Sequence, residues 1–142
     1  MQHVDDAYQI VWLIRRVFRA LAKKSGDSVR DLGISVADRA VIEFLHPTEK
    51  LSVPEIAERY QVSRQHVQVT VNGLLSAGLL TTDVNPRHKR SPLIALTAQG
   101  KGMFRTIKAR DTKAVKELFS NISEQHRHIT QQTLQTLLNE LK

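Results

Sequence analysis

The chain has 142 residues, with 21 Lys and Arg against 14 Asp and Glu, six His and no Cys. That length matches one ordinary domain, and 41% hydrophobic with 25% charged residues is a globular composition, not a disordered one. The lack of cysteine excludes disulfide frameworks, thiolate zinc sites, iron–sulfur clusters and peroxide-sensing thiols, and a net charge of +7 points toward a polyanionic partner.

The opening Met1-Gln2-His3-Val4-Asp5-Asp6 has no basic region followed by an apolar one, so it does not read as a secretory signal. No apolar run approaches the roughly 18 residues of a membrane span. A cytoplasmic protein with no membrane partner is expected. From Asp5 to Lys24, Ile10, Val11, Ile14, Val17, Phe18 and Leu21 recur at helical spacing, which predicts an amphipathic helix stopped by Ser25-Gly26-Asp27. Ser35 and Asp38 read as the cap of a second helix through Val36, Ala40, Val41, Phe44 and Leu45, ended by Pro47.

Ser52-Val53-Pro54-Glu55 is a stronger start signal. The Ser hydroxyl can take an orphan amide, Glu55 can close the capping box, and Pro54 gives up only an amide with no intrahelical partner. Ile56, Ala57 and Tyr60 mark a short buried face. Only Gln61-Val62 then precedes Ser63, which can cap a helix through Leu75, with Gly78 at the left-handed position beyond it. Two short capped helices joined so tightly describe a helix-turn-helix. Leu79-Leu80-Thr81-Thr82 and Leu93-Ile94-Ala95-Leu96 read as a two-stranded hairpin whose tip holds Arg87-His88-Lys89-Arg90. Thr97 caps a helix carrying Met103, Ile107, Ala114, Val115, Leu118 and Phe119, and Ser123 opens a last one with Ile129, Leu134, Leu137, Leu138 and Leu141.

At 100° per residue, Val67, Thr70, Val71, Leu74 and Leu75 share one face of the helix after Ser63. The opposite face holds Gln65, Val69, Asn72 and Ser76, flanked by His66, Gln68 and Gly73. A solvated face usually carries Glu and Lys, and this one has no charge. It offers amides, a hydroxyl and a methyl-bearing side chain, the groups that pair with base edges and thymine methyls. The alternative is an ordinary polar face. Ser63 and Arg64, at the positive helix N-terminus, are placed for phosphate. Arg87, Lys89 and Arg90 add charge on the hairpin beside it, so that helix and hairpin together describe a winged helix-turn-helix.

Glu55-Ile56-Ala57, Val62-Ser63-Arg64, Leu74-Leu75-Ser76-Ala77-Gly78-Leu79 and Leu96-Thr97-Ala98-Gln99-Gly100 carry a resemblance to the MarR family of dimeric transcriptional regulators. Leu-Thr-x-x-Gly after a basic wing is its most specific element, and the outer helices agree, so the resemblance covers essentially the whole chain. It implies a mainly α fold with a small β-hairpin wing, dimerising through N- and C-terminal helices. Residues 5–34 would form the N-terminal dimerisation helix and linker, 35–100 the winged helix-turn-helix unit, and 101–142 the C-terminal dimerisation helices of a single chain, 1–142. The function it implies is a DNA-binding regulator, a repressor more often than an activator, acting as a homodimer on double-stranded DNA. The alternatives are a sequence-tolerant architectural DNA-binding protein and a winged-helix interaction domain.

Four positions depart from the family pattern. His88 stands where the family often has a wing Asp, with Arg90 retained, so a carboxylate that could fix the arginine is missing and a looser or pH-sensitive wing is expected. Val69 and Gly73 stand where many members have Arg, which shifts expected readout toward amides and methyls. Gln61 occupies a turn that Gly or Asn would enter more easily. The resemblance also implies a small aromatic or anionic effector, for which Trp12, Arg16, Phe44, His46 and Met103 are the candidate lining residues; ordinary core and dimer packing is the alternative for each.

No enzyme, cofactor or metal is expected. His126 and His128, two apart on a helix, point in different directions, His3 lies near the terminus, and His66 and His88 fall on the DNA-facing elements. No Ser-His-Asp set or nucleophile motif can be placed, and Gly100-Lys101-Gly102 lacks the Ser or Thr and the spacing of a phosphate loop.

Overall fold

The first helix runs past the place where the sequence predicts a stop. The computed structural model describes residues 2–142, with side chains from Asp5 onward, so the side chain of His3 lies outside the described residues. Helix α1 spans Gln2–Val29 and continues through Ser25-Gly26-Asp27. Long-range contacts hold this last turn. Arg39 Nη1 donates to the Ser25 carbonyl at 3.1 Å and to Ser28 Oγ at 3.0 Å, and Val29 is fully buried in the core. Gly26 suits the packing better than a helix stop: a Cβ there would come within 2.7 Å of Val36 Cγ2. A single 3-10 turn, Arg30–Leu32, and Gly33 at φ 73° end the segment.

Helix α2 (Val36–Phe44) starts as predicted. Ser35 Oγ accepts from the Asp38 amide at 3.1 Å, and the Asp38 carboxylate accepts from the Ser35 amide at 2.9 Å. Ser52 and Glu55 form the same reciprocal cap on α3 (Val53–Tyr60). Gln61 does take the left-handed conformation, at φ 55°, although a side chain there costs roughly 1–2 kcal/mol. Helix α4 (Arg64–Ser76) follows, with Ser63 Oγ accepting from the His66 amide at 3.1 Å. Tyr60 departs from its predicted burial. It is exposed on its outer side and stacks on Phe44, the ring centroids 3.4 Å apart.

The hairpin is part of a three-stranded antiparallel sheet rather than a two-stranded one. Strands β2 (Leu80–Asp83) and β3 (Leu93–Leu96) pair with Leu80 opposite Leu96 and Asp83 opposite Leu93. The short β1 (Leu51–Ser52) adds to the other edge of β3, with Leu51 opposite Ile94. Two residues are too short to show a period of two, so β1 left no pattern to read.

Helix α5 (Ala98–Leu118) begins at Thr97, whose Oγ1 accepts from the Gly100 amide at 3.0 Å. The chain divides into two compact units, Met1–Ile107 and Lys108–Lys142. In the first, Ile42, Leu45, Ile56, Val67, Val71, Ile94 and Ile107 are among the largest fully buried side chains. They come from the sheet and from four helices, so the hydrophobic core fixes α4 against the wing. The second unit holds the end of α5 and α6 (Glu124–Glu140), capped by Ser123; none of its residues is buried. Among the described residues no helix is long and apolar enough to cross a membrane.

Candidate nucleic-acid interface

Helix α4 has two chemically opposite faces. Val67, Thr70, Val71 and Leu74 are buried and Leu75 is partly so, which anchors the helix on α2 and α3. Gln65, His66, Gln68, Val69, Asn72 and Ser76 are exposed on the other side. Val69 is 65% exposed, an apolar side chain held out in solvent rather than packed. Gln68 Nε2 donates to Asn72 Oδ1 at 2.8 Å across one turn. Ser63 is exposed and spends one acceptor on the cap, and its hydroxyl keeps a proton to donate.

The wing tip is built on Asn85, which is 7% exposed. Its Nδ2 donates to the Ser91 carbonyl at 2.9 Å, and its Oδ1 accepts from the Arg87 amide at 3.1 Å. The His88 amide donates to the Asn85 carbonyl, and the Ser91 amide to the His88 carbonyl. A side-chain amide thus closes the loop where the sequence, lacking a wing carboxylate, predicts looseness. Closure leaves Arg87, His88, Lys89 and Arg90 exposed, and none of the three cations forms an ion pair among the described residues. The single acid on the wing, Asp83, is paired with Lys50 at 2.9 Å. The hydrogen bond from Lys50, then the Val84 amide, hold its carboxyl below the usual carboxylate range.

Helix and wing face each other across one cleft of about 360 Å³. Arg64, Gln65 and Gln68 line it from α4, and Thr82, Arg90 and Pro92 from the wing. The structure therefore brings an arginine from each element to the two sides of an amide-lined surface. Positive charge at both edges with an uncharged centre suits a polyanion whose middle carries hydrogen-bonding edges. Asn85 and Lys50 also contribute, the first by closing the wing tip and the second by pairing the wing's one acid. Asn85-Pro86 is a turn signal that could have pointed to the first. Nothing local marks Lys50, whose partner is 33 residues away.

The candidate effector residues have other neighbours. Trp12 lies under the Arg15 guanidinium, 5.8 Å from the ring centroid, and Phe44 stacks on Tyr60. His46 meets Phe104 edge-on at 5.3 Å, and Met103 packs against the core. Arg16 lines a shallow groove on α1 with Leu13, Val17, Arg19 and Ala20.

Comparison with known proteins finds the same fold and a family. A family model described as MarR family matches residues 32–91. The chain is 30% identical over 141 residues to the uncharacterized proteins Mb2034c of Mycobacterium bovis and Rv2011c of Mycobacterium tuberculosis, covering 98% of this chain and 92% of theirs. Among solved structures it is similar to the transcriptional regulator BldR from Sulfolobus solfataricus, with a TM-score of 0.87 at 20% identity over 99% of both chains. A MarR family transcription regulator superposes with a TM-score of 0.84 at 24% identity, over 99% of this chain and 95% of the other. The S. aureus MepR–DNA complex gives 0.80 at 19% identity, over 93% and 96%.

Proposed function

Because the chain belongs to the MarR family of transcription regulators, we propose that it is a sequence-specific DNA-binding regulator that represses transcription as a homodimer on a pseudo-palindromic operator. The observation that carries the reading is the exposed, uncharged face of α4 held between Arg64 and Arg90 across one cleft. The two arginines attract phosphate without reading sequence, and Gln65, Gln68, Val69 and Asn72 offer the groups that distinguish bases in a major groove. A protein of the same fold, S. aureus MepR, has been solved in complex with DNA, which supports a DNA-binding reading.

Assembly follows from apolar exposure. Helix α1 exposes Ile10, Val11, Ile14, Val17 and Phe18, and the second unit exposes Ile129, Leu134 and Leu138 with nothing buried of its own. A second copy pairing through the terminal helices, 5–34 and 101–142, would remove that surface from water. It would also set two recognition helices about 34–36 Å apart, one turn of DNA. Bound over a promoter, such a dimer excludes polymerase.

Ligand-controlled release has one local observation in its favour: Trp12, 45% exposed, sits beside Arg15 and Arg16, a group suited to an aromatic anion. Trp12 is the chain's only tryptophan, so quenching of its fluorescence by a series of aromatic carboxylates tests this directly. The main reading is tested by selecting duplexes from a random pool. An enriched two-fold-symmetric motif bound at least tenfold more tightly than shuffled DNA supports it. Equal affinity for both identifies an architectural protein, and no binding to either leaves an interaction domain.

A further inference from the structure

Resting on the DNA-binding reading above, the geometry points to Gln68 and Asn72 acting as one unit that reads adenine, Gln68 touching the base and Asn72 holding it in place. Down the axis of α4, Gln65, Asn72 and Ser76 fall within about 20° of one line, while Gln68 is offset by about 60° toward the wing cleft that it lines. Left alone, its amide would sample that cleft and solvent. The 2.8 Å hydrogen bond from its Nε2 to Asn72 Oδ1 instead draws the amide onto the line of residues that faces outward.

That bond uses one of the two Nε2 hydrogens. What remains is one N–H and the carbonyl Oε1, a donor and an acceptor side by side. Adenine presents the complement on its major-groove edge, the N7 acceptor beside the N6 amino donor. Guanine presents two acceptors there, so Oε1 would meet O6 and be repelled. Restraint by Asn72 also removes rotamer freedom before binding, so less is lost when the base is engaged. Val69 flanks the line on its other side, about 40° away and 65% exposed, where its methyls match those of thymine. The unit therefore favours an A·T step in each half-site. Arg64 and Arg90 lie beside it and supply attraction that is indifferent to sequence.

Asn72 is then a positioning residue for Gln68, whose loss is felt at the base that Gln68 touches. The test starts from the duplex that the wild-type protein selects from a random pool, with every position replaced in turn. Wild type, Gln68→Ala, Asn72→Ala and Asn72→Asp are titrated against this set and against random DNA. Wild type is expected to show an adenine in each half-site whose replacement weakens binding by roughly 5- to 150-fold. Gln68→Ala and Asn72→Ala should both flatten the preference at that one position while affinity for random DNA stays within about twofold. Asn72→Asp keeps an acceptor for Gln68, so it should retain the preference ratio even though its charge lowers affinity for every duplex alike. Retention of the ratio in Asn72→Ala, or its loss in Asn72→Asp, overturns the positioning role. A selected site with no adenine sensitive to Gln68→Ala reduces the pair to a surface hydrogen bond while leaving the DNA-binding reading intact. Failure of wild type to enrich any duplex removes both.

Discussion

The hydroxyl of Thr97 donates to the carbonyl of Gly78 at 2.6 Å, tying the first turn of α5 to the chain just beyond α4. The same oxygen caps α5 by accepting from Gly100, and the Thr97 amide donates to the Leu79 carbonyl at 3.1 Å. Gly100 sits so close to that carbonyl that a Cβ would lie 2.1 Å from it. The Leu-Thr-x-x-Gly pattern thus has a physical cause: a buried Leu96, a two-way clamp, and a residue without a side chain where two backbones meet.

Gly100→Ala should therefore destabilise the fold by about 3 kcal/mol, because backbone rather than a movable side chain opposes it. Thr97→Val, which keeps the shape and loses both bonds, should cost about 1–3 kcal/mol. Urea denaturation of the two variants measures this. A Gly100→Ala protein as stable as wild type would contradict the close approach.

Much of this architecture was legible in the sequence because it is local. Both capping boxes, the Ser63 cap, the left-handed positions at Gln61 and Gly78 and the two faces of α4 depend on residues within one or two turns of each other. What was not legible depends on distant partners. Ser25-Gly26-Asp27 looks like a stop until Arg39, 14 residues on, reaches back to the Ser25 carbonyl. Tyr60 looks buried by period until Phe44 offers it a ring to stack on. Of the candidate interface, the split of α4 into a buried and an exposed face could be read, but the Gln68–Asn72 coupling and the Asn85 closure of the wing required side-chain positions.

The same long-range bonds make Arg39 a stability determinant. It is 6% exposed and reaches Glu43 at 3.0 Å as well as Ser25 and Ser28. Hydrogen bonds from a charged group are worth about 1.5–3 kcal/mol each in net terms. Arg39→Ala should cost about 3 kcal/mol overall and increase amide exchange in the last turn of α1, around Ser25 to Val29. Unchanged exchange there would separate Arg39 from the helix extension.

Where β2 ends and the wing loop begins, the Lys50 bond keeps the Asp83 carboxyl ionised to lower pH than usual. A carboxylate whose folded pKa is depressed contributes stability above its unfolded value and loses it as pH falls through the folded one. The pair should therefore hold the end of β2 at neutral pH and release it only below the ordinary Asp range. Both partners are about half exposed, so global stability should barely respond. NMR titration should place the Asp83 carboxyl higher in Lys50→Met than in wild type. Identical titration curves would mean that the pair does not persist in solution.

Assembly is the next expectation. A mass near twice 16.1 kDa should appear by light scattering at micromolar concentration. Leu134→Asp with Leu138→Asp places two charges on the exposed apolar face of α6, and should shift the protein toward monomer and weaken operator binding together. A single-chain mass for wild type would remove the two-fold operator from the proposal.

The last expectation separates wing from helix. Arg90 carries an unpaired charge at the edge of the cleft, and an arginine entering a narrow minor groove answers to its potential rather than to base identity. Gln65 lies at the centre of the α4 face, where an amide meets base edges. Each copy carries +7, so binding should fall steeply with salt, by about a thousandfold between 50 and 200 mM. Arg90→Ala should weaken operator and random DNA alike and make that salt dependence shallower. Gln65→Ala should cost about 1–3 kcal/mol on the operator alone, relax one base position and leave the salt slope unchanged. Titrating both variants on both duplexes at several salt concentrations decides the assignment. If Gln65→Ala lowers affinity equally for operator and random DNA, the reading face of α4 lies elsewhere.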